Sequence, residues 1–376
     1  MNRRPPTPRP GVYELYWYFA SERHAMFERR VAGGPPPWTT DPILAGYKFC
    51  NVYRAADRVS QYMIRDVCYH DDDCTPQDRI FQIVAFRTFS RIGTWQAVHD
   101  HLGRQPTLDD LADGGFTAAL DHAVTVNGGL YTAAFILCAT DAYGMRRKHL
   151  NHVELWRDMF LAGSLADRIL DATSLREVYD LLHGYPLMGD FMSYQTAVDL
   201  NYSALLDFDE NEFTKAGPGA LRGIRKCFVD LGDHSPTDVI NWMVEHQADE
   251  FERLGHPFRG LFGRPLHAID CQGLFCETDK YCRAAVPELA SGRTRIKARF
   301  ARNPAPLPLF FPPKWGLTAP ATPAPAARPA GPSRPAPRST RAGTTAPRRG
   351  VPPSAARTPT APGPPPPAPP PAAPSG

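Results

Sequence analysis

The sequence predicts an all-α fold. Three observations carry the prediction: apolar residues recur at spacings of three and four almost throughout, period-two alternation is nearly absent, and helix start and stop signals punctuate the chain. The first helix is expected over VYELYWYFASERHAMFERRV, where Tyr13, Trp17, Ala20 and Phe27 share a face and Gly33-Gly34-Pro35-Pro36-Pro37 ends it. Asp41-Pro42, a cap followed by proline at the first helical position, opens a short helix to about Gly46. From Asn51 to Tyr69, the residues Val52, Ala55, Val59, Tyr62, Met63 and Val67 form one amphipathic stripe. Thr75-Pro76 starts another helix, Thr94 is the expected cap of the helix before Gly103, and Thr107 with Asp110 opens one that runs to Asn127-Gly128-Gly129. Further on, Ser174 and Glu177 form a capping box closed by Gly184, and Ser235-Pro236 with Asp238 opens a long helix ending near Gly255. About ten helices result, with little or no sheet.

One segment breaks the pattern. In residues 293–300 the cations Arg293, Arg295, Lys297 and Arg299 alternate with Thr294, Ile296, Ala298 and Phe300, which predicts an extended arm with a wholly cationic face. The expected organisation is a disordered arm over 1–10, a helical body over 11–303 with any sub-boundary in 127–144, and a linker and disordered tail over 304–376.

The formal charge of +3 on 376 residues hides an uneven distribution. Residues 318–376 carry 20 of the 41 prolines, seven arginines, and no lysine, acid or aromatic residue, which leaves residues 1–317 at −4. A Pro/Ala/Arg-rich tail without apolar payload does not offset the entropy of ordering, and its charge supplies sequence-independent, salt-sensitive attraction to DNA. The start MNRRPPTPRP lacks the apolar run of a signal peptide, and no 18-residue apolar stretch exists. Eight scattered cysteines suit reduced thiols. The expectation is a cytoplasmic, nucleoid-associated protein with no membrane partner.

Several chemistries lack their motifs. There is no G-x-x-x-x-G-K-[ST], no kinase His-Arg-Asp triplet, no G-x-S-x-G and no H-E-x-x-H. The pairs His99/His101 and His149/His152, and the run Cys271, Cys276 and Cys282, lack zinc spacing, so no metal ligand is assigned.

The segment from Phe213 to Lys226 is more specific. Gly217, Gly219 and Gly223 around Pro218 predict a tight turn at a helix start whose free N–H groups hold an anion, and Arg222, Arg225 and Lys226 follow within two turns. The pattern resembles a helix-hairpin-helix turn on a DNA backbone phosphate, although Leu221 replaces its second glycine. An ordinary packing corner needs the same small residues.

Three clusters bring polar groups together. Asp270 and Glu277, seven apart and on one helical side, can act as acid and base or hold a divalent cation, with Gln272, Asp279 and Lys280 nearby; a capped helix with a Glu277–Lys280 surface pair is the alternative. Arg54, Asp57, Arg58 and Gln61 lie along one expected flank beside Lys48 and Asn51, able to bind phosphate or to form a self-satisfied ladder. Gln195, Asp199 and Tyr202 stand one turn apart near Tyr194 and Asn201, with Tyr194 and Tyr202 as candidate base-stacking rings or as buried core.

In order along the chain, YKFCNVYRAADRVSQYMI, FRTFSRIGTW, YQTAVDLNYS, GPGALRGIRKCF and IDCQGLFCETDKYCR resemble the helical domain of the phage 5-hydroxymethyluracil DNA kinases and the related α-glutamyl/putrescinyl thymine pyrophosphorylases. The similarity runs from about Tyr16 to Phe300. It implies a DNA-glycosylase-like all-helical body that modifies 5-substituted uracils in DNA by phosphoryl or pyrophosphate-linked chemistry on a flipped base. By motif match, it implies a site of Asn51, Arg54, Asp57, Arg58, Gln195, Asp199, Asn201, Asp270, Gln272, Glu277, Asp279 and Lys280. Asp199, Asp270, Glu277 and Gln272 are the catalytic candidates, and Lys48, Gly217, Gly219, Arg222, Arg225, Lys226, Arg295 and Lys297 join the DNA contacts. No cofactor is assigned, Mg²⁺ on the carboxylate pair being the one candidate, and modified duplex DNA and a separate nucleotide kinase or base-modifying enzyme are the expected partners. Gly273 stands where the family pattern Asp-Cys-Gln-Asn carries an amide, and the nucleotide-kinase segment of some relatives is absent. Both weaken the implication of ATP use. A glycosylase and a non-catalytic DNA-binding module are the competing functions.

Overall fold

Fourteen α-helices are described in the computed structural model of the chain. They are α1 (Val12–Val31), α2 (Pro42–Gly46), α3 (Arg58–Met63), α4 (Pro76–Phe89), α5 (Ile92–Leu102), α6 (Leu108–Asp113) and α7 (Gly115–Asn127), followed by α8 (Lys148–Trp156), α9 (Leu165–Leu170), α10 (Leu175–His183), α11 (Asp190–Asn201), α12 (Pro218–Cys227), α13 (Pro236–Arg253) and α14 (Ala268–Ala285). The structure describes residues 3–132, 142–290, 295–301, 303 and 308–318. Among them the only sheet is a two-stranded antiparallel one, so the fold class is all-α. No described helix is long and apolar enough to cross a membrane.

The caps are set locally. Asp41 accepts from the N–H groups of Ile43 and Leu44, and Thr75, Ser174 and Ser235 cap α4, α10 and α13 as the sequence predicts. Two expectations fail at glycine and arginine. The helix expected from Thr107 to Asn127 divides at Gly114, whose φ of 93° is closed to the regular helix, and α5 begins one turn before Thr94, whose hydroxyl donates to the Leu130 carbonyl instead. The expected break in 127–144 covers residues 133–141, which lie outside those described.

Three helices are buried nearly all round. In α4 every residue from Arg79 to Phe89 is buried, in α11 every residue from Met192 to Asn201, and in α14 most positions from Ala268 to Cys282. Such helices form the interior rather than an amphipathic wall. α14 packs against α1, α2, α12 and α13, whereas α11 packs against α4 and α10. Any polar side chain on α11 or α14 must therefore find its partner inside the protein.

Both ends differ from expectation. The described part of the arm, residues 3–10, lies on the body: β1 (Thr7–Pro8) pairs with β2 (Phe228–Asp230), and Arg3 and Arg4 bind Asp238 and Asp230. Arginines flanking Pro-rich chain are ordered here by acidic partners 226 or more residues away, which local composition does not report. At the other end, residues 308–318 of the expected linker dock on the body through Phe310, Phe311, Lys314 and Trp315. A run of three large rings supplies the apolar surface that the rest of the tail lacks.

Candidate functional site

The helix expected from Asn51 to Tyr69 is broken where it matters. A 3-10 turn covers Arg54–Ala56, Asp57 is extended (φ −70°, ψ 144°), α3 follows, and a π turn closes over Ile64–Cys68. The break is held by Asp57, which accepts the Asn51 N–H at 2.9 Å, and by the Asn51 amide, which donates to the Ala56 carbonyl at 2.8 Å. Asn51 and Asp57 thus shape a turn. Arg54 leaves the flank of Arg58 and Gln61 and points inward.

There it joins three distant segments. Arg54 Nη1 lies 2.5 Å from Asp199 Oδ1, its Nε donates to Gln195 Oε1 at 2.8 Å, and its backbone N–H donates to Asp270 Oδ1 at 3.2 Å. Gln195 and Asp199 are one turn apart on α11 and so present both acceptors to one guanidinium. Arg87 of α4 grips the second oxygen of Asp199, which has no exposed surface. Burial alone would lower the Arg54 pKa, but Asp199 and Tyr202 outweigh it and raise it; at Arg87 burial prevails and the pKa falls. Asp199, a catalytic candidate from the sequence, thus has both oxygens committed to arginine in a buried network.

Asp270 differs. It caps its own helix by accepting the His267 N–H at 3.1 Å, and it is 5% exposed. Burial pushes its pKa up to about 7, against smaller downward pulls from the His267 N–H and the Arg264 guanidinium. A carboxyl near half-protonation at neutral pH is suited to accept or release a proton. Glu277, two turns along, accepts the Cys50 N–H at 2.9 Å and pairs with Lys280 at 2.7 Å and Lys297 at 2.6 Å. Burial would raise it, but Lys297 and Lys280 hold it at about 2. The expected acid/base pair is one titrating carboxyl and one fixed anion.

The glycine corner is chiefly a packing device. A Cβ on Gly219 would lie 2.7 Å from Cys276 Sγ, and one on Gly223 would lie 2.1 Å from the Phe275 carbonyl oxygen, so these glycines let α12 lie directly on α14. Gly217 faces the Phe191 ring and the side-chain amide of Gln272, whose Nε2 is buried without a partner. The cations behind it are occupied: Arg222, Lys226 and Arg283 converge on Asp279 at 3.1, 2.9 and 2.6 Å. The turn expected to grip a phosphate is built as a helix junction stitched by a buried carboxylate, with Arg225 left exposed.

The remaining candidates separate in the same way. Tyr194 and Tyr202 are each 1% exposed, edge-on to Phe213 and Trp315, and offer no open stacking face. Asn201 clamps the Phe208 backbone through both ends of its amide. Lys280 and Lys297 are tied to Glu277, whereas Lys48, Arg225 and Arg295 are exposed. Of the expected cationic strand, residues 293 and 294 lie outside those described; residues 295–298 form no strand, and Arg299 bridges to Tyr47. Lys297 turns in to neutralise a buried glutamate, which breaks the outward alternation.

Sequence reasoning missed Arg87, Glu210, Arg264 and Trp315. Arg264 pairs with Glu210 at 2.6 Å, and the Trp315 ring covers its guanidinium at 3.8 Å. One signal was present: an arginine inside the apolar run IFQIVAFRTF marks a buried cation in need of an anion. Two surface hollows, of about 460 and 390 Å³, are lined by residues of 168–185 and 114–157 and contain none of these side chains.

The profile of the family described as 5-hmdU DNA kinase, helical domain, matches residues 10–291. The chain is 27% identical over 297 residues to a 5-hmdU DNA kinase of Bacillus phage SP10, an alignment that covers 74% of this chain and 46% of the phage protein. The chain thus spans about half the length of that curated relative. No solved structure matches.

Proposed function

The chain belongs to the 5-hmdU DNA kinase helical-domain family, and from that premise we propose that it is a DNA base hypermodification enzyme, a transferase acting on 5-hydroxymethyluracil or a related 5-substituted thymine in DNA. The observation that supports this most directly is the Arg54 junction, which brings Gln195, Asp199 and Asp270 onto one residue inside the matched region.

The chemistry follows from the different states of those groups. The atoms at the 5-position are out of in-line reach while the base is stacked, so the nucleotide leaves the duplex first. Asp270 takes the proton from the hydroxyl of the 5-substituent as that oxygen bonds to the terminal phosphorus of a nucleoside triphosphate donor, whose bridging P–O bond breaks and releases the diphosphate, a task matched to an Asp270 pKa of about 7. Arg54, fixed by Asp199 and Gln195, holds the centre rigid and keeps positive charge beside it. The exposed Lys48, Arg225 and Arg295, with the tail arginines, supply DNA backbone contacts. Mg²⁺ does not fit this centre: Asp199 spends both oxygens on arginines, Glu277 is held by two lysines, and no three His, Cys, Asp or Glu side chains converge on a metal position among the described residues. No step is routed through a metal.

The test is nucleoside mass spectrometry after incubating the full chain with 5-hydroxymethyluracil DNA or its pyrophosphorylated form, ATP, Mg²⁺ and amines. A base of altered mass is the expected result. An abasic site would make the protein a glycosylase, and unchanged nucleosides despite duplex binding would make it a binding module; either overturns the proposal.

A further inference from the structure

The docked segment Leu309–Leu317 ends over the Arg54 centre. It is anchored at one end by the Phe310 N–H, which donates to Gln61 Oε1 at 2.6 Å, and at the other by Lys314, whose ammonium donates to the Asn201 carbonyl at 2.6 Å and to that of Leu206. A 3-10 turn over Pro313–Trp315, released by Gly316 at φ 61°, sets the indole. Trp315 lies on the Arg264 guanidinium at 3.8 Å and edge-on to Tyr202 at 5.6 Å, and Arg54 meets the same tyrosine ring at 5.7 Å. One buried donor on each of these three side chains, Arg54 Nη2, Arg264 Nε and Trp315 Nε1, has no hydrogen-bond partner. Each bears a desolvation cost that an acceptor would remove. The neighbouring carboxylates do not supply it, because Asp199 is bound by Arg54 and Arg87, and Glu210 by Arg264 Nη2.

We propose that Leu309–Leu317 is a strap that completes an oxyanion site, in which Arg54 Nη2, Arg264 Nε and Trp315 Nε1 receive the oxygens of a phosphoryl or pyrophosphoryl group carried on the substrate base. The donors suit such a group: two guanidinium N–H groups and one indole N–H offer positive charge and no competing acceptor. This rests on the functional reading for the carrier of the phosphoryl group, whereas the site itself is tested without DNA. Arg264 and Trp315 add two positioning residues to it.

The experiment titrates inorganic pyrophosphate into the full chain by calorimetry. The wild type is expected to bind, and Trp315→Phe, which keeps the ring on Arg264 but removes the N–H, is expected to weaken binding about tenfold, the worth of one hydrogen bond to a charged group, with an unchanged melting temperature. Lys314→Ala, which detaches the strap and touches none of the three donors, is expected to weaken it as well. Failure of the wild type to bind, wild-type affinity in both variants, or displacement of pyrophosphate by unmodified duplex would overturn the proposal. Binding that behaves as expected without any conversion of nucleosides would sink the functional reading alone.

Discussion

Asp270 and Glu277 lie two turns apart on one side of α14, each 5% exposed, and they titrate in opposite directions. Asp270 meets backbone N–H groups and the distant charge of Arg264, too little to offset burial, and rises to about 7. Glu277 meets two ammonium groups and falls to about 2. The helix gives both carboxylates the same orientation, so neighbours from other segments decide which of them can exchange a proton near neutral pH. Burial leaves the first carboxyl with a raised pKa, and the ion pair of the second ties Lys297 to the body.

The comparison breaks most sharply in activity. Asp270→Asn is expected to lower turnover by roughly 10²–10⁴-fold, the usual worth of a positioned acid or base, with duplex affinity within a few-fold by filter binding. Glu277→Gln is expected to leave turnover within about tenfold while lowering the melting temperature, because a buried position that held an anion then faces two unpaired lysines. Equal losses of turnover in both variants would remove the distinction.

The second contrast is in pH. Between pH 4 and 7 folded Asp270 keeps a proton that the unfolded chain has lost, so its contribution to stability falls by about 1.4 kcal/mol per pH unit as pH rises and is level above 7. Glu277 works in reverse: its contribution is complete above the unfolded value of 4.5 and disappears as pH falls toward 2. Urea midpoints from pH 3 to 8 are expected to lose the first limb in Asp270→Asn and the second in Glu277→Gln. The smallest expected effect is that of Lys280→Ala. Its side chain is 28% exposed, so its removal is expected to cost less than about 1 kcal/mol, and less still in high salt.

Legibility followed the range of the interactions. The caps at Asp41, Thr75, Ser174 and Ser235 are contacts over two or three residues, and the sequence displays both partners together. The motif stretches likewise contain Arg54, Gln195, Asp199 and Asp270, which meet in space. What they did not convey is the state of each group. Arg54 was read on a helical flank that Asp57 interrupts, and Gly219 and Gly223 were read as an anion turn because a packing junction demands the same absence of side chain.

From local periodicity and capping, the sequence determined an all-α body. Tertiary structure alone decided that arginines bind both oxygens of Asp199, that burial raises the pKa of Asp270 while two lysines lower that of Glu277, and that Trp315 lies on Arg264 beside Tyr202. Each outcome depends on burial and on charges from segments tens to hundreds of residues apart, and Coulomb and desolvation energies are set by distance in space, which the order of residues along a chain does not record.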